Sequence, residues 1–310
     1  MKGETTWREA LRWGEQVLAQ SALDSPRLDA EILLAHALGI TRAQLHAHPQ
    51  GQLSPAELAS CRQLIERRAR REPVAYIVGH KEFYGLDLFV DNRVLIPRPE
   101  TELLVEKAIQ ISRRQPVVAD VGTGSGAIAV SLAVHLPQAL VYATDASPGA
   151  LEVAARNCCC HGVKDRVHLL QGHLLEPLPE PVDLIAANLP YVSEAELAQL
   201  PPEISHHEPR EALNGGPDGL DYIRSLLAQA GGHLKPGGVV LLEIGATQGP
   251  AVTALARRHF PAATVEIAKD YAGLDRVVMV SKGAREQRQV ERLLHTCSRW
   301  TLVQRPQRSL

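Results

Sequence analysis

The chain has only five cysteines in 310 residues, three of them consecutive at Cys158, Cys159 and Cys160. Such spacing makes no disulfide framework, so a stapled secreted scaffold is excluded and a reducing compartment is expected. An apolar leader is missing too, because Glu4, Arg8, Glu9 and Arg12 are scattered through the first residues where a signal peptide needs an unbroken apolar stretch. No later window approaches the roughly 18 uninterrupted apolar residues of a membrane span. The expectation is a cytoplasmic protein with no membrane contact. Aromatic residues are scarce at 4%, which leaves the 45% hydrophobic content to small and aliphatic side chains. Charge of one sign is nearly lacking overall, with 33 Lys and Arg against 35 Asp and Glu. It is unevenly placed: from Ser281 onward there are seven basic residues and two glutamates, so the first 280 residues carry −7 and the last thirty +5. An acidic body with a basic end argues against nucleic acid as the main partner, except for contact through the tail.

What is present divides by periodicity. Before about residue 80 the apolar spacing is helical, through Trp7, Leu11 and Leu18 and then Leu28, Ile32 and Ala35. Ser25-Pro26 reads as a cap followed by an N1 proline, and Ser54-Pro55 with Glu57 reads as a capping box. No strand pattern occurs there. Residues 1–80 are therefore expected to form a small helical domain. Phe83 to Val90, aromatic and β-branched around Gly85, reads as a hairpin within a linker of residues 81–98. From residue 99 to 280, short apolar runs at 116–120, 140–145, 167–171, 182–188 and 239–243 alternate with helical stretches. Buried parallel strands with crossover helices explain that alternation. Val265 to Ala268 and Val277 to Val280 suggest a closing antiparallel hairpin, and residues 281–310 a basic extension. The fold class is α/β, a mostly parallel Rossmann-like sheet behind a helical N-terminal domain.

Chemistry gathers at the ends of those runs. Asp120 to Gly126 (DVGTGSG) lies between a strand and a helix, where Gly122, Gly124 and Gly126, with Thr123 and Ser125, let backbone approach an anionic or nucleotide-like ligand. The glycines are spaced G-x-G-x-G, not the G-x-G-x-x-G of dinucleotide binders. Asp145 ends the next strand nineteen residues after Gly126, placed to accept both hydroxyls of a ribose. S-adenosyl-L-methionine fits this spacing better than NAD. Asn188, Leu189, Pro190 and Tyr191 end the fourth run, on the same edge of the sheet. An asparagine carbonyl and a backbone carbonyl next to proline can accept both hydrogens of a planar NH2 group, with the tyrosine ring over its face. The same four residues read alone are an ordinary turn in which Pro190 stops a strand.

The glycine loop, the strand-two acid and this Asn-Pro-Pro-Tyr-like tetrapeptide resemble class I S-adenosylmethionine-dependent methyltransferases acting on amide or exocyclic amine nitrogen. Residues 79–85 (GHKEFYG), 95–102 (LIPRPETE), 207–213 (HEPREAL) and 215–219 (GGPDG) narrow the resemblance to the protein-(glutamine-N5) methyltransferases of class I peptide chain release factors. The resemblance spans nearly residues 1–280. It implies a seven-stranded methyltransferase sheet, a helical domain that recognises substrate, and methylation of the glutamine in the Gly-Gly-Gln motif of those factors. By position it implies that Gly122 to Gly126, Asp145, Leu174 and Asn188 bind the cofactor. Asn188, Pro190 and Tyr191 would be catalytic, and Asn188 to Tyr191 would hold the glutamine. Two positions depart from the family: Leu189 replaces a usual proline, and His173 a usual acidic residue beside the adenine. The alternative is methylation of an adenine or guanine amine by the same cradle.

Other residues have plainer readings. Pro99 suits N1 of the next helix, with Glu100 and Glu102 complementing its dipole and Arg98 beside it; the resemblance instead sets this loop at the cofactor. Arg67, Arg68, Arg70 and Arg71 read as a solvated C-terminal helix turn. Cys158 to Cys160 with His161 do not suggest metal, since consecutive helical residues diverge by about 100°. No metal is expected.

Overall fold

The computed structural model describes residues 5–283. The basic extension lies outside the described residues, apart from its first three. Two compact units are present, one of residues 5–80 with 201–207, the other of residues 81–200 with 208–283.

The first unit packs five helices: α1 (Trp7–Ala19), α2 (Pro26–Leu38), α3 (Arg42–Ala47), α4 (Pro55–Ala69) and α5 (Val74–Val78). Thr6, Thr41 and Ser54 each close a capping box, with Glu9, Gln44 and Glu57 reaching back. Ser25 does not cap as expected. Its backbone leaves the geometry a cap requires, and its hydroxyl lies 3.3 Å from Asp29 Oδ1 instead. A two-residue pairing of β1 (Thr5–Thr6) with β2 (Gln52–Leu53) is the strand that the sequence pattern did not suggest. Leu18, Leu33, Ile65 and Ile77 form the main core of this unit.

Of the arginine run at the end of α4, Arg70 is exposed as expected, but Arg67, Arg68 and Arg71 are not. Arg68 is buried and donates to Asp29 Oδ2 at 2.7 Å, with Glu203 Oε1 at 3.4 Å. Arg71 donates to Glu203 Oε2 at 2.7 Å and to the carbonyls of Ser21 and Ala22. Arg67 pairs with Glu72. Carboxylates therefore hold three of the four arginines, Arg67 through the adjacent Glu72 and Arg68 and Arg71 through Asp29 and Glu203.

The second unit begins with a hairpin, β3 (His80–Phe83) and β4 (Leu86–Phe89), turned by Tyr84 and Gly85, both at positive φ. Phe83 and Leu88 are fully buried in the core of this unit. After α6 (Thr101–Ile111) the chain alternates β5 (Val117–Val121), α7 (Ala127–His135), β6 (Leu140–Asp145), α8 (Pro148–Cys160), β7 (Val167–Gln171) and β8 (Val182–Ala187). There follow α9 (Asp221–His233), β9 (Leu234–Glu243), α10 (Gly249–His259), β10 (Thr264–Lys269) and β11 (Asp275–Ser281). The sheet order is β10-β11-β9-β8-β5-β6-β7, with β11 antiparallel to both its neighbours and the other pairings parallel. β9 starts five residues earlier than the apolar run suggested, through a Pro-Gly-Gly stretch whose irregularity shows as a register shift against β8.

This order determines where a ligand can sit. The chain runs from β5 outward through β6 and β7, then returns to place β8 on the other side of β5. The crossovers on either side of β5 therefore diverge and leave a crevice beyond its carboxyl end.

Candidate functional site

Three loops start side by side at that crevice. Val121, the last residue of β5, is in register with Thr144 of β6 and Ala187 of β8. Gly122, Asp145 and Asn188 follow directly. The turn out of β5 is bound to β6, since the N–H groups of Gly122 and Thr123 both donate to Thr144 O at 2.9 Å. Gly122 (φ 73°) and Gly124 (φ 56°) take left-handed conformations that a side chain would strain. A Cβ on Gly122 would also lie 3.1 Å from Leu189 Cδ2, so the two loops close on each other without a side chain between them.

Asp120 anchors the loop from below. Fully buried, it accepts from Thr123 Oγ1 at 2.6 Å and from Ala129 N at 3.0 Å, tying the turn to the first residues of α7. Burial pushes its carboxyl up to about 7, against the pull of those two donors. Asp145 holds the loop from the side: Oδ2 accepts from Gly124 N and Oδ1 from Ser147 N, both at 2.9 Å. Burial raises this carboxyl as well, and the backbone donors oppose the rise.

Asn188 donates through Nδ2 to Thr101 Oγ1 at 3.1 Å. Leu189 is buried, whereas Asn188, Pro190 and Tyr191 are half-buried. The Tyr191 hydroxyl lies 3.4 Å from Glu243 Oε1, at the end of β9. Glu243 is buried, which pushes it up to about 7; Thr101, Arg276 and Tyr191 pull it down and Glu100 adds to the rise. Tyr191 is itself pushed up to about 12 by burial.

These elements enclose a solvent-open cleft of about 1120 Å³. Of the residues singled out from the sequence, Gly122, Thr123, Gly124, Ser125, Asp145, Leu174, Asn188, Leu189 and Pro190 line it. Gly126 and Tyr191 do not. Gly126 stands at the N-cap of α7, where a Cβ would meet Ala154 at 3.2 Å. Leu174 sits at φ 52°, and its carbonyl accepts from Thr144 Oγ1 at 2.8 Å, so the β6 edge also holds the loop after β7. His173 lines the cleft beside Tyr222, their ring centroids 6.3 Å apart.

Arg98 lines the cleft and donates to Glu208 Oε1 at 2.6 Å. Glu208, raised by burial and lowered by Arg98, also faces Ile96 N at 3.4 Å. Pro99 is not N1 of the helix: Thr101 and Glu102 close turns onto Arg98 O and Pro99 O, and α6 begins at Thr101 with Glu100 as N-cap. Thr101, Glu208, Tyr222 and Glu243 were not identified as site residues from the sequence. Glu243 did carry a signal, because it ends an apolar run as Asp120, Asp145 and Asn188 end theirs.

Among the described residues no group of three or more His, Cys, Asp or Glu could hold a metal, and no helix is long and apolar enough to cross a membrane. Cys158 is buried, which pushes its thiol up to about 11, while Cys159 and Cys160 are exposed.

Comparison with known proteins matches residues 9–79 to the family described as the PrmC N-terminal domain and residues 99–206 to the methyltransferase small domain. A release factor glutamine methyltransferase from Geobacter sulfurreducens is 44% identical over 275 residues, covering 88% of this chain and 95% of that one. Another, from Moorella thermoacetica, is 48% identical over 276 residues, covering 87% and 96%. This chain belongs to the release factor glutamine methyltransferase family. A solved methyltransferase structure from Pyrococcus furiosus, 21% identical, matches with a TM-score of 0.52 over 71% of this chain and 99% of that one, which shows a shared fold. The release factor glutamine methyltransferase family is the one that residues 79–85, 95–102, 207–213 and 215–219 resembled, within the wider class suggested by the glycine loop, Asp145 and the tetrapeptide.

Proposed function

We propose that this protein transfers a methyl group from S-adenosyl-L-methionine to the side-chain amide nitrogen of the Gly-Gly-Gln glutamine of class I peptide chain release factors, in the cytoplasm. The observation that carries the reading is the juxtaposition, in one cleft, of the Gly122–Gly124 turn, the Asp145 carboxylate and Asn188. The cleft fits the cofactor on this chain's own chemistry: Gly124 has open space where a Cβ would stand, and Asp145 keeps acceptor capacity beyond its two backbone bonds. Gly122 to Ser125 would cradle the amino-acid part, Asp145 the ribose, and Leu174 the base. When bound, the cofactor supplies an electrophilic methyl on a sulfonium.

The protein's task is to make a poor nucleophile attack in line. An amide nitrogen has its lone pair delocalised into the carbonyl, so it must be oriented and its growing positive charge stabilised. Asn188 Oδ1 and the Leu189 carbonyl would accept the two N–H groups, an interaction that strengthens as the nitrogen becomes cationic. Leucine in place of proline preserves that carbonyl. Its side chain is packed on Gly122, so burial supplies rigidity that a ring would otherwise give.

The test is transfer of labelled methyl to a purified class I release factor. Incorporation is expected with the native motif and none when its glutamine is replaced. Equal labelling of both would overturn the assignment.

A further inference from the structure

Asn188 has an amide whose two ends look alike in shape but are opposite in chemistry, and the proposed cradle works only if the oxygen faces the cleft. The orientation must come from what holds the nitrogen. Asn188 Nδ2 donates to Thr101 Oγ1 at 3.1 Å. Thr101 is buried at the first residue of α6, so its own hydrogen needs an acceptor. The candidate acceptor is Glu243, whose charged form Thr101 favours. It is 1% exposed, takes the Tyr191 hydroxyl on Oε1, and leaves Oε2 buried with no hydrogen-bond partner.

The consequence follows from donor and acceptor counting. A charged Glu243 only accepts, so its open Oε2 would draw the Thr101 hydrogen and leave a lone pair toward Asn188, which must then answer with Nδ2. A protonated Glu243 can donate to Thr101 instead. The Thr101 hydrogen is then free for Asn188, and the amide no longer has a reason to keep its oxygen in the cleft.

We infer that Glu243, acting through Thr101, is a positioning residue that sets which end of the Asn188 amide meets the substrate. This rests on the Asn188 cradle proposed above. The groups facing Glu243 are Thr101 and Glu100 at the start of α6, Tyr191 after β8, and Arg276 on the neighbouring strand β11. Glu243 is pushed up to about 7 chiefly by burial, so it charges and discharges in the working range of pH. Transfer should be slowed at pH 6 and reach its plateau at pH 8.

Single-turnover methyl transfer is measured at saturating cofactor and release factor, pH 6 to 8, with cofactor affinity by calorimetry and folding by thermal melting. Thr101→Val, nearly isosteric, should slow transfer on the order of tenfold to a hundredfold, less than outright loss of a transition-state hydrogen bond because the Asn188 amide itself remains. Its cofactor affinity should stay within about twofold. Thr101→Ser, which keeps the hydroxyl, should recover to within about threefold of the native rate. Glu243→Gln, permanently uncharged, should be slow and flat across the pH range. A native rate in Thr101→Val, failure of Thr101→Ser to recover, or a native acid limb in Glu243→Gln would each overturn the relay. Asn188→Ala separates the two readings: if it is inactive while Thr101→Val is fully active, the cradle stands and only the relay fails, whereas an active Asn188→Ala overturns the cradle itself.

Discussion

Replacing Asp145 by asparagine should weaken cofactor binding and destabilise the fold by two separable routes. In the free protein each carboxylate oxygen accepts one backbone N–H, from Gly124 and from Ser147, both at 2.9 Å. Asparagine keeps only one accepting oxygen, so its NH2 must face one of those N–H groups, donor against donor. The lost bond is to a charged acceptor and is worth about 1.5 to 3 kcal/mol. It exists with or without ligand, so it appears as stability, a fall in thermal midpoint of roughly 3 to 12 °C at the scale of a domain this size. The proposed ribose bonds would exist only in the complex. Losing one of them costs about another 1.5 to 3 kcal/mol, or roughly ten- to a hundredfold in Kd. Calorimetry with S-adenosyl-L-methionine and melting of the free variant measure the two effects independently. A variant that melts lower yet binds cofactor within about twofold of native would refute the ribose role and leave Asp145 as a brace for the glycine loop alone.

Asn188→Ala should lower the methyl-transfer rate by about a hundredfold or more, as when a transition-state hydrogen bond is removed from a dry site, with cofactor affinity changing much less; rapid-quench turnover and calorimetry check both. Arg68→Met should destabilise the helical unit by about 3 to 5 kcal/mol, because Asp29 is left buried without its cation; urea titration of the full chain followed by helix signal reads this, and a loss below about 1 kcal/mol would show the pair to be screened. Asp120→Asn tests a pH dependence whose sign is definite. The folded carboxyl is raised from 3.8 to about 7, so the native state holds a proton that the unfolded chain has already lost, and stability falls as pH rises across that interval. The native thermal midpoint, measured relative to that of Asp120→Asn, should therefore rise as pH is lowered from 8 to 5; parallel curves would place the carboxyl's titration outside this window.

The parts of this molecule legible in its sequence are those whose cause is local. Strands β5, β6 and β8 show because a buried parallel strand is an apolar run of fixed length, and the capping box at Ser54 because Glu57 is three residues away. The glycine loop and Asp145 show because a βαβ turn brings them together at a spacing that chain geometry imposes. Ser25 misled because the cap and the competing acceptor, Asp29, are both within one turn, and nothing local decides between them. Arg68 and Arg71 misled for the opposite reason: their partner Glu203 is more than 130 residues distant, and a basic run reads as solvated until its carboxylates are known. Thr101 lies between two glutamates that attract attention as dipole partners. Its real neighbours, Asn188 and Glu243, arrive from the loop after β8 and from the end of β9. The residues proposed to touch a ligand lie at strand ends, where sequence marks them, whereas those proposed to orient them are set by the sheet order, which brings the end of β9 next to β8 although 56 residues separate Ala187 from Glu243. Polar residues that end buried strands are therefore best read as one set. By that criterion Glu243 belongs beside Asp120, Asp145 and Asn188 from the start.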